Sequence, residues 1–161
     1  MMNIAFTTAL GLLLNAVLAA LLVLATVSDF RRRIISNRLN LIIALLAPAY
    51  WVVVGLPLWP DAAVQLGIAA AVFALFSLFF YLGGMGGGDV KLASALALWF
   101  NLGEMVQLLL IMSVAGGIIT LAAWGDHRRA GSEGRVKVPY GIAIAIAGWL
   151  VLAQRYLNHF G

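Results

Sequence analysis

The stretch Gly83-Gly84-Met85-Gly86-Gly87-Gly88-Asp89 separates two apolar runs and ends on a carboxylate. Only 6 of the 161 residues are acidic, and 64% are apolar. An ionisable side chain near hydrocarbon costs roughly 2.5 kcal/mol or more on insertion scales, so its presence by default indicates function. Glycines allow one helix to stop and the next to begin while a second backbone approaches closely. Asp89 is therefore the first candidate functional residue, and Asp29, at the end of the first apolar run, is its candidate partner.

Apolar runs occupy most of the chain on both sides of this stretch. Mean hydropathy is +1.05 and 10% of the residues are charged, against about 25% in a soluble domain, which excludes an ordinary soluble protein. A spanning helix needs about 20 mostly apolar residues. We predict an all-α polytopic membrane protein in which residues 1–161 form a single transmembrane domain. Its six predicted transmembrane helices are 4–27, 39–58, 62–83, 89–101, 104–124 and 139–157.

The fourth predicted helix is short. At 1.5 Å per residue it covers only about 20 Å of a hydrocarbon core roughly 30 Å thick. It must therefore take residues from the glycine stretch or begin below the membrane surface.

Lys and Arg side chains set the predicted orientation. Nine of the ten fall in alternate connections, 28–38, 84–91 and 125–138, which leaves Arg155 for the other side. The basic loops are predicted to face the cytoplasm, with both termini on the opposite, non-cytoplasmic side. Asp29 and Asp89 then share one membrane level, whereas Asp61 and Glu104 are assigned to the outer side.

Two carboxylates at one membrane level are suited to hydrolysing a peptide bond. The ionised carboxylate takes a proton from water, and the protonated one donates to the carbonyl oxygen or leaving nitrogen. Like charges within hydrogen-bond reach cannot both ionise readily, so one pKa rises strongly, as in the aspartic-protease dyad. Such a pair titrates as a unit, so no separate acid and base are assigned. Asp29 and Asp89 are the predicted catalytic residues.

The glycines and Asp29 can also be explained without any catalytic role. Gly83 and Gly87, or Gly84 and Gly88, have the small-xxx-small spacing of packed membrane helices. An acid at a helix end followed by three arginines, as at Asp29, is usually a solvated interface residue.

Other polar side chains give weaker signals. Lys91 diverges on a helix from Asp89, two residues earlier, and snorkelling to lipid headgroups explains it as well as a cleft does. His127 and His159 are isolated and the chain has no cysteine, so no metal site is predicted. P-loop, dinucleotide and serine-hydrolase motifs are also absent from the sequence. Basic residues in short loops beside apolar runs are typical of membrane topology rather than of nucleic-acid binding.

Three segments resemble one protease family. Gly86-Gly87-Gly88-Asp89 resembles the Gly-x-Gly-Asp motif of intramembrane aspartyl proteases, and the following Val90-Lys91-Leu92 is similar to the version in type IV prepilin peptidases. The segment Ser28-Asp29-Phe30-Arg31-Arg32-Arg33-Ile34-Ile35-Ser36-Asn37 is similar to the family's other pattern, an Asp closing helix one, basic residues and then Ile-Pro-Asn. Ser36 stands in place of that proline. Val138-Pro139-Tyr140-Gly141 resembles the start of the family's last helix.

The resemblance implies an aspartyl endopeptidase that removes the basic leader of a type IV prepilin at the cytoplasmic face of the inner membrane. By motif, Asp29 and Asp89 form the catalytic pair, Gly86 and Gly88 shape the substrate cleft, and Lys91 flanks it. No cofactor or metal is implied. The implied partners are a prepilin substrate, membrane lipid and pilus assembly or secretion machinery. Without cysteines or an insert between helices one and two, the chain resembles the short, peptidase-only branch that serves Flp-type tight-adherence pili.

A non-enzymatic alternative stays open. In a small membrane transporter or a secretion-complex scaffold, the two acids would form a proton or ion relay, which is a usual role for intramembrane carboxylates. Replacing each aspartate by asparagine separates the two functions, because asparagine is nearly isosteric and cannot ionise.

Overall fold

A computed structural model describes residues 4–129 and 140–160, with side chains described at 8–121 and 140–158. Within these ranges the chain forms α-helices, one π-helical turn and no strand, which confirms the predicted all-α class. The helices are α1 (Ile4–Arg32), α2 (Asn37–Val54), α3 (Ala63–Tyr81), α4 (Gly87–Ala97), α5 (Leu102–Arg129) and α6 (Tyr140–Phe160), and the π-helical turn (Leu58–Ala62) precedes α3. Predicted features that fall on 130–139, including Pro139 and most of the third basic loop, lie outside the described residues.

Five of the described segments are long and apolar enough to cross a membrane. They are Thr8–Arg32, Asn37–Val54, Leu58–Tyr81, Leu102–Leu121 and Tyr140–Asn158. With 11 residues, α4 is only about 16 Å long, half the thickness of the hydrocarbon core. The described residues therefore indicate a multi-pass membrane protein with five spanning helices, and the sixth span and the side of the termini stay predictions.

The end of α1 differs from the prediction and changes the setting of Asp29. α1 continues through Asp29 to Arg32 instead of ending near residue 27, because two arginines in its last turn interact favourably with the helix dipole. Arg33 then adopts a left-handed conformation (φ 53°) and its N–H donates to the carbonyl of Asp29. Asp61 lies in the π-helical turn, and the N-cap position of α3 is Ala62, which makes no side-chain cap.

The short helix α4 lies at the centre of the bundle. It packs against α2, α3 and α6, while α1 packs against α2 and α6. It takes two residues from the glycine stretch and ends at Ala97, four residues earlier than predicted. The long helices, by contrast, expose large apolar side chains such as Phe73 and Leu110 to the surroundings. Because α4 is buried among other helices, the non-helical backbone at its ends is not exposed to lipid. A helix of only half the membrane thickness is therefore tolerated.

Side chains from three helices satisfy the open carbonyl groups at the end of α4. The last carbonyls of a helix have no intrahelical partner, and hydrocarbon offers none. Each donor is an indole, amide or guanidinium group that reaches the turn after α4. The bonds run from Trp51 Nε1 to the oxygen of Leu98 (2.8 Å), from Gln65 Nε2 to those of Ala97 (2.6 Å) and Phe100, and from Arg155 Nη2 to that of Trp99 (2.9 Å).

Glu104 completes this end of the bundle. Its carboxylate pairs with Arg155 at 2.6 Å, and the guanidinium also donates to Asn15 and Tyr50. α4 runs from Asp89 at one end of the bundle to this cluster at the other. Glu104 is thus far from the two candidate aspartates, as the sequence predicts.

Candidate active site

Asp29 lies in the last turns of α1 with only 5% of its surface exposed. It faces the first turn of α6, where a methyl group placed on Gly141 would lie 2.7 Å from Asp29 Oδ2. The backbone N–H groups of Ile142 and Gly141 face the same carboxylate. N–H groups in a first helical turn have no intrahelical acceptor, and the positive end of the helix dipole favours an anion there. The Asp29 carboxylate is therefore held at the start of α6.

Asp89 lies in the first turn of α4 and is 7% exposed. Gly86 is the N-cap, with an extended backbone (φ −77°, ψ 145°). Its N–H donates to Asp89 Oδ2 at 3.3 Å, which is the acidic half of a capping box. Asp29 thus lies against the positive end of α6, and Asp89 lies at the positive end of its own helix, α4.

Ile35 connects the two helix starts. It belongs to the loop after α1 and is 5% exposed. A methyl group on Gly88 would lie 3.2 Å from both Cβ and the carbonyl oxygen of Ile35, and one on Gly141 would lie 2.6 Å from its Cδ1. Because neither glycine has a side chain, the loop fits between α4 and α6, and this close fit brings the two acidic helix ends together.

The two carboxylates are close enough to affect each other's ionisation. Asp89 lies outside the five spanning helices, and burial, followed by the charge of Asp29, raises its pKa to about 7, while the Gly86 N–H acts in the opposite direction. Near neutral pH such a pair holds one proton between two carboxyl groups. This is the ionisation state that general acid–base hydrolysis requires.

Two buried oxygen atoms near these acids lack hydrogen-bond partners in the part of the chain that the structure describes. They are Asp29 Oδ2 and Asn40 Oδ1. A buried acceptor without a donor costs about 1–3 kcal/mol, so such atoms call for an explanation. Asn40 also donates to the carbonyl of Gly88 (3.1 Å), which ties α2 to the first turn of α4.

The remaining predicted residues lie around this pair. Lys91 is exposed, and its Nζ donates to Asn37 Oδ1 at 2.8 Å, so it joins α4 to the start of α2. Ser36 is the N-cap of α2 and accepts from the Leu39 N–H, which gives the residue at the family's proline position a function in the loop. Ser28 Oγ donates to the carbonyl of Ile34 and fixes the same loop.

Among the residues with described positions, no group of three His, Cys, Asp or Glu side chains could hold a metal ion. The side chains of His127 and His159 lie outside the described ranges. A cavity of about 1330 Å³ lies between α1, α2 and α6, but it borders Asn15, Tyr50 and Arg155 and so belongs to the end of the bundle opposite the aspartates.

Sequence reasoning missed Gly141, Ile142, Ile35 and Asn40 as parts of this site. For Asn40 the sequence does contain a signal, because it is a polar residue in the first turn of the apolar helix α2. Gly141 appeared only within a segment of family resemblance. The contacts of Ile35 depend on how α4 and α6 are rotated, which no sequence pattern specifies.

Comparisons with known proteins agree with this picture. The sequence profile of the type IV leader peptidase family matches residues 16–121, which include both aspartates and the glycine stretch. A prepilin leader peptidase/N-methyltransferase of Xanthomonas campestris pv. campestris is 30% identical over an alignment of 164 positions, which covers 90% of this chain and 53% of the relative. The chain thus spans about half the length of that relative. No solved structure gives a significant match. The chain belongs to the type IV leader peptidase family.

Proposed function

We propose that the chain is an aspartyl endopeptidase that removes the leader peptide of a type IV prepilin, with Asp29 and Asp89 as the catalytic dyad. One observation carries the proposal: two almost fully buried carboxylates lie at adjoining helix starts, and the charge of one raises the pKa of the other. An ion pair or a solvated surface acid has no need of this arrangement. The family match supports prepilin processing, and the geometry supports the aspartic mechanism.

The mechanism follows from the single proton that the dyad holds. The ionised carboxyl group accepts a proton from water, and the oxygen of that water attacks the scissile carbonyl carbon. The protonated carboxyl group donates its proton to the carbonyl oxygen, which gives a tetrahedral intermediate. The carboxyl group that took the proton from water then passes it to the leaving nitrogen, and the other carboxyl group recovers its proton from the hydroxyl group of the intermediate as the C–N bond breaks. Asp29 Oδ2, which has no protein partner among the described residues, is available to the water or to the shared proton. The N–H groups at the start of α6 stabilise negative charge on Asp29 during proton transfer.

Charge attraction does not explain how a basic leader is captured. Beside the dyad, the last turn of α1 carries Arg31 and Arg32 and the following loop carries Arg33, and all three repel a basic peptide. Lateral docking of the precursor's apolar helix is the more consistent source of affinity. At the dyad end of the bundle, large apolar side chains are exposed for such docking; they are Phe30, Ile34, Tyr81 and Leu82. Higher salt should therefore leave docking nearly unchanged, and strong inhibition by salt would contradict this mode of binding.

The proposal includes the orientation of the chain in the membrane. The active site faces the cytoplasm from the inner membrane, both termini lie on the opposite side, and residues 1–161 act as one peptidase domain. The loop between α1 and α2 is only residues 33–36. Because this connection leaves no room for an insert, we assign the chain to the peptidase-only, Flp-type branch, with prepilin, lipid and pilus machinery as its partners.

The test compares the wild type with Asp29→Asn and Asp89→Asn, each purified with a pilin precursor in lipid vesicles. Both variants should fold and neither should release the leader, because asparagine cannot exchange the proton. Asp61→Asn is the matched control, since Asp61 is exposed in the π-helical turn at the other end of the bundle. Full cleavage by both dyad variants would refute the mechanism. If the wild type instead conducts protons without cleaving, the relay alternative holds.

A further inference from the structure

The first turn of α6 approaches Asp29 more closely than any residue with a side chain would permit. A Cβ atom on Gly141 would lie 2.7 Å from Asp29 Oδ2, 3.0 Å from its Cγ and 2.6 Å from Ile35 Cδ1. Real Cβ atoms essentially never come within 3.0 Å of other heavy atoms. Gly141 lies outside residues 16–121, the segment matched by the family profile.

Three elements enclose the Asp29 carboxylate at this point. α1 supplies its backbone, Ile35 of the following loop approaches the same point of α6, and the N–H groups of Gly141 and Ile142 face it from α6. Asp29 and Ile35 are both about 95% buried, so both side chains are in close contact with their surroundings. The orientation of the carboxylate therefore depends on the backbone of α6.

We propose that Gly141 is a positioning residue for Asp29: its missing side chain lets the N–H groups of α6 reach the carboxylate and hold it in the orientation that reacts. This inference rests on the proposed peptidase function, in which Asp29 belongs to the dyad. Gly141 itself takes no part in proton transfer.

An alanine at this position moves the carboxylate rather than the helix. The added methyl group and Asp29 Oδ2 cannot occupy the same space, and the shortest relief is rotation of the Asp29 side chain away from α6. A displacement of about 1 Å in a catalytic group lowers turnover by about 100-fold. We expect Gly141→Ala to lower kcat by about this factor, while KM stays near the wild-type value because the surface that docks the substrate is unchanged.

Gly148→Ala is the matched control on the same helix. Its Cβ would lie 2.9 Å from Leu22 Cδ1, a similar steric conflict two turns away with no acid nearby. This variant should lower thermal stability while keeping the wild-type kcat. Gly117→Ala, whose Cβ would meet nothing within 4 Å, should behave as wild type in both measurements.

A double variant separates the two contacts of the new methyl group. Ile35→Val removes Cδ1 and relieves the conflict with the loop, but it leaves the conflict with Asp29. Gly141→Ala/Ile35→Val should regain stability without regaining kcat. Recovery of kcat in the double variant would overturn the proposal. It would show that Gly141→Ala lowers kcat through its contact with Ile35 and not through Asp29.

The kinetic experiment measures kcat, KM and melting temperature of these variants on a pilin precursor in vesicles. A wild-type kcat in Gly141→Ala overturns the positioning role while leaving the dyad intact, provided Asp29→Asn is inactive. Cleavage by Asp29→Asn instead overturns the proposed function itself. If both variants with alanine at position 141 fail to fold while Gly148→Ala folds, the glycine serves packing and the proposal is also overturned.

Discussion

Replacing Asp89 by asparagine should abolish cleavage yet make the folded protein more stable at neutral pH. The Asp89 side chain is 7% exposed, and burial with the charge of Asp29 raises its pKa from 3.8 to about 7. Because the folded-state pKa lies above the unfolded one, the contribution of Asp89 to stability is fully present below pH 3.8. It is lost as the pH rises through about 7.

The size of the effect follows from the shift in pKa. One pKa unit corresponds to about 1.4 kcal/mol, so ionisation of Asp89 weakens the folded state by on the order of 4 kcal/mol above neutral pH. Asparagine keeps the size of the side chain, accepts from the Gly86 N–H and carries no charge to bury. For a chain of this length, the gain corresponds to a melting temperature roughly 10 °C higher.

The assay is thermal unfolding in detergent at about pH 4, 6 and 8. Asp89→Asn should match the wild type at the lowest pH and exceed it increasingly as the pH rises. Asp61→Asn, which changes an exposed acid, should follow the wild-type curve throughout. A variant no more stable than the wild type at the highest pH, or equally stabilised at every pH, would show that Asp89 carries no buried charge.

Two further predictions concern other parts of the molecule. Gln65→Leu removes the donor to the carbonyls of Ala97 and Phe100 and should lower the free energy of unfolding by about 1–3 kcal/mol, whereas Gln154→Leu, at an exposed position, should have little effect in the same denaturation assay. Chelators should leave leader cleavage unchanged, because the described residues contain no cluster of metal ligands; activity lost in chelator and restored by added metal would contradict this.

The two aspartates could be placed at one end of the bundle from the sequence because that inference needs only helix order and the distribution of Lys and Arg. It does not depend on how each helix is rotated. The roles of Asn40, Ile35 and Gly141 do depend on rotation and on contacts between residues distant in sequence. Those contacts appear only when α4 and α6 are packed against the loop after α1.

The end of α4 was predicted wrongly for a related reason. Leu98, Trp99 and Phe100 extend the apolar run, so hydropathy places the helix end at residue 101. The chain turns after Ala97 because Gln65, on another helix, satisfies the carbonyls left open there. Counting charges assigned Arg155 to the outer side but could not indicate that its guanidinium caps α4.

The central claim is that Asp29 and Asp89 act as one catalytic unit, and a double-mutant cycle on cleavage tests it most directly. The rate of leader release is measured for the wild type, Asp29→Asn, Asp89→Asn and the variant carrying both changes, with folding checked by melting temperature. Residues that act as a unit are strongly non-additive, so either single variant should be as slow as the double variant. Cleavage retained by a single variant, or losses that simply add in the double variant, would contradict the dyad.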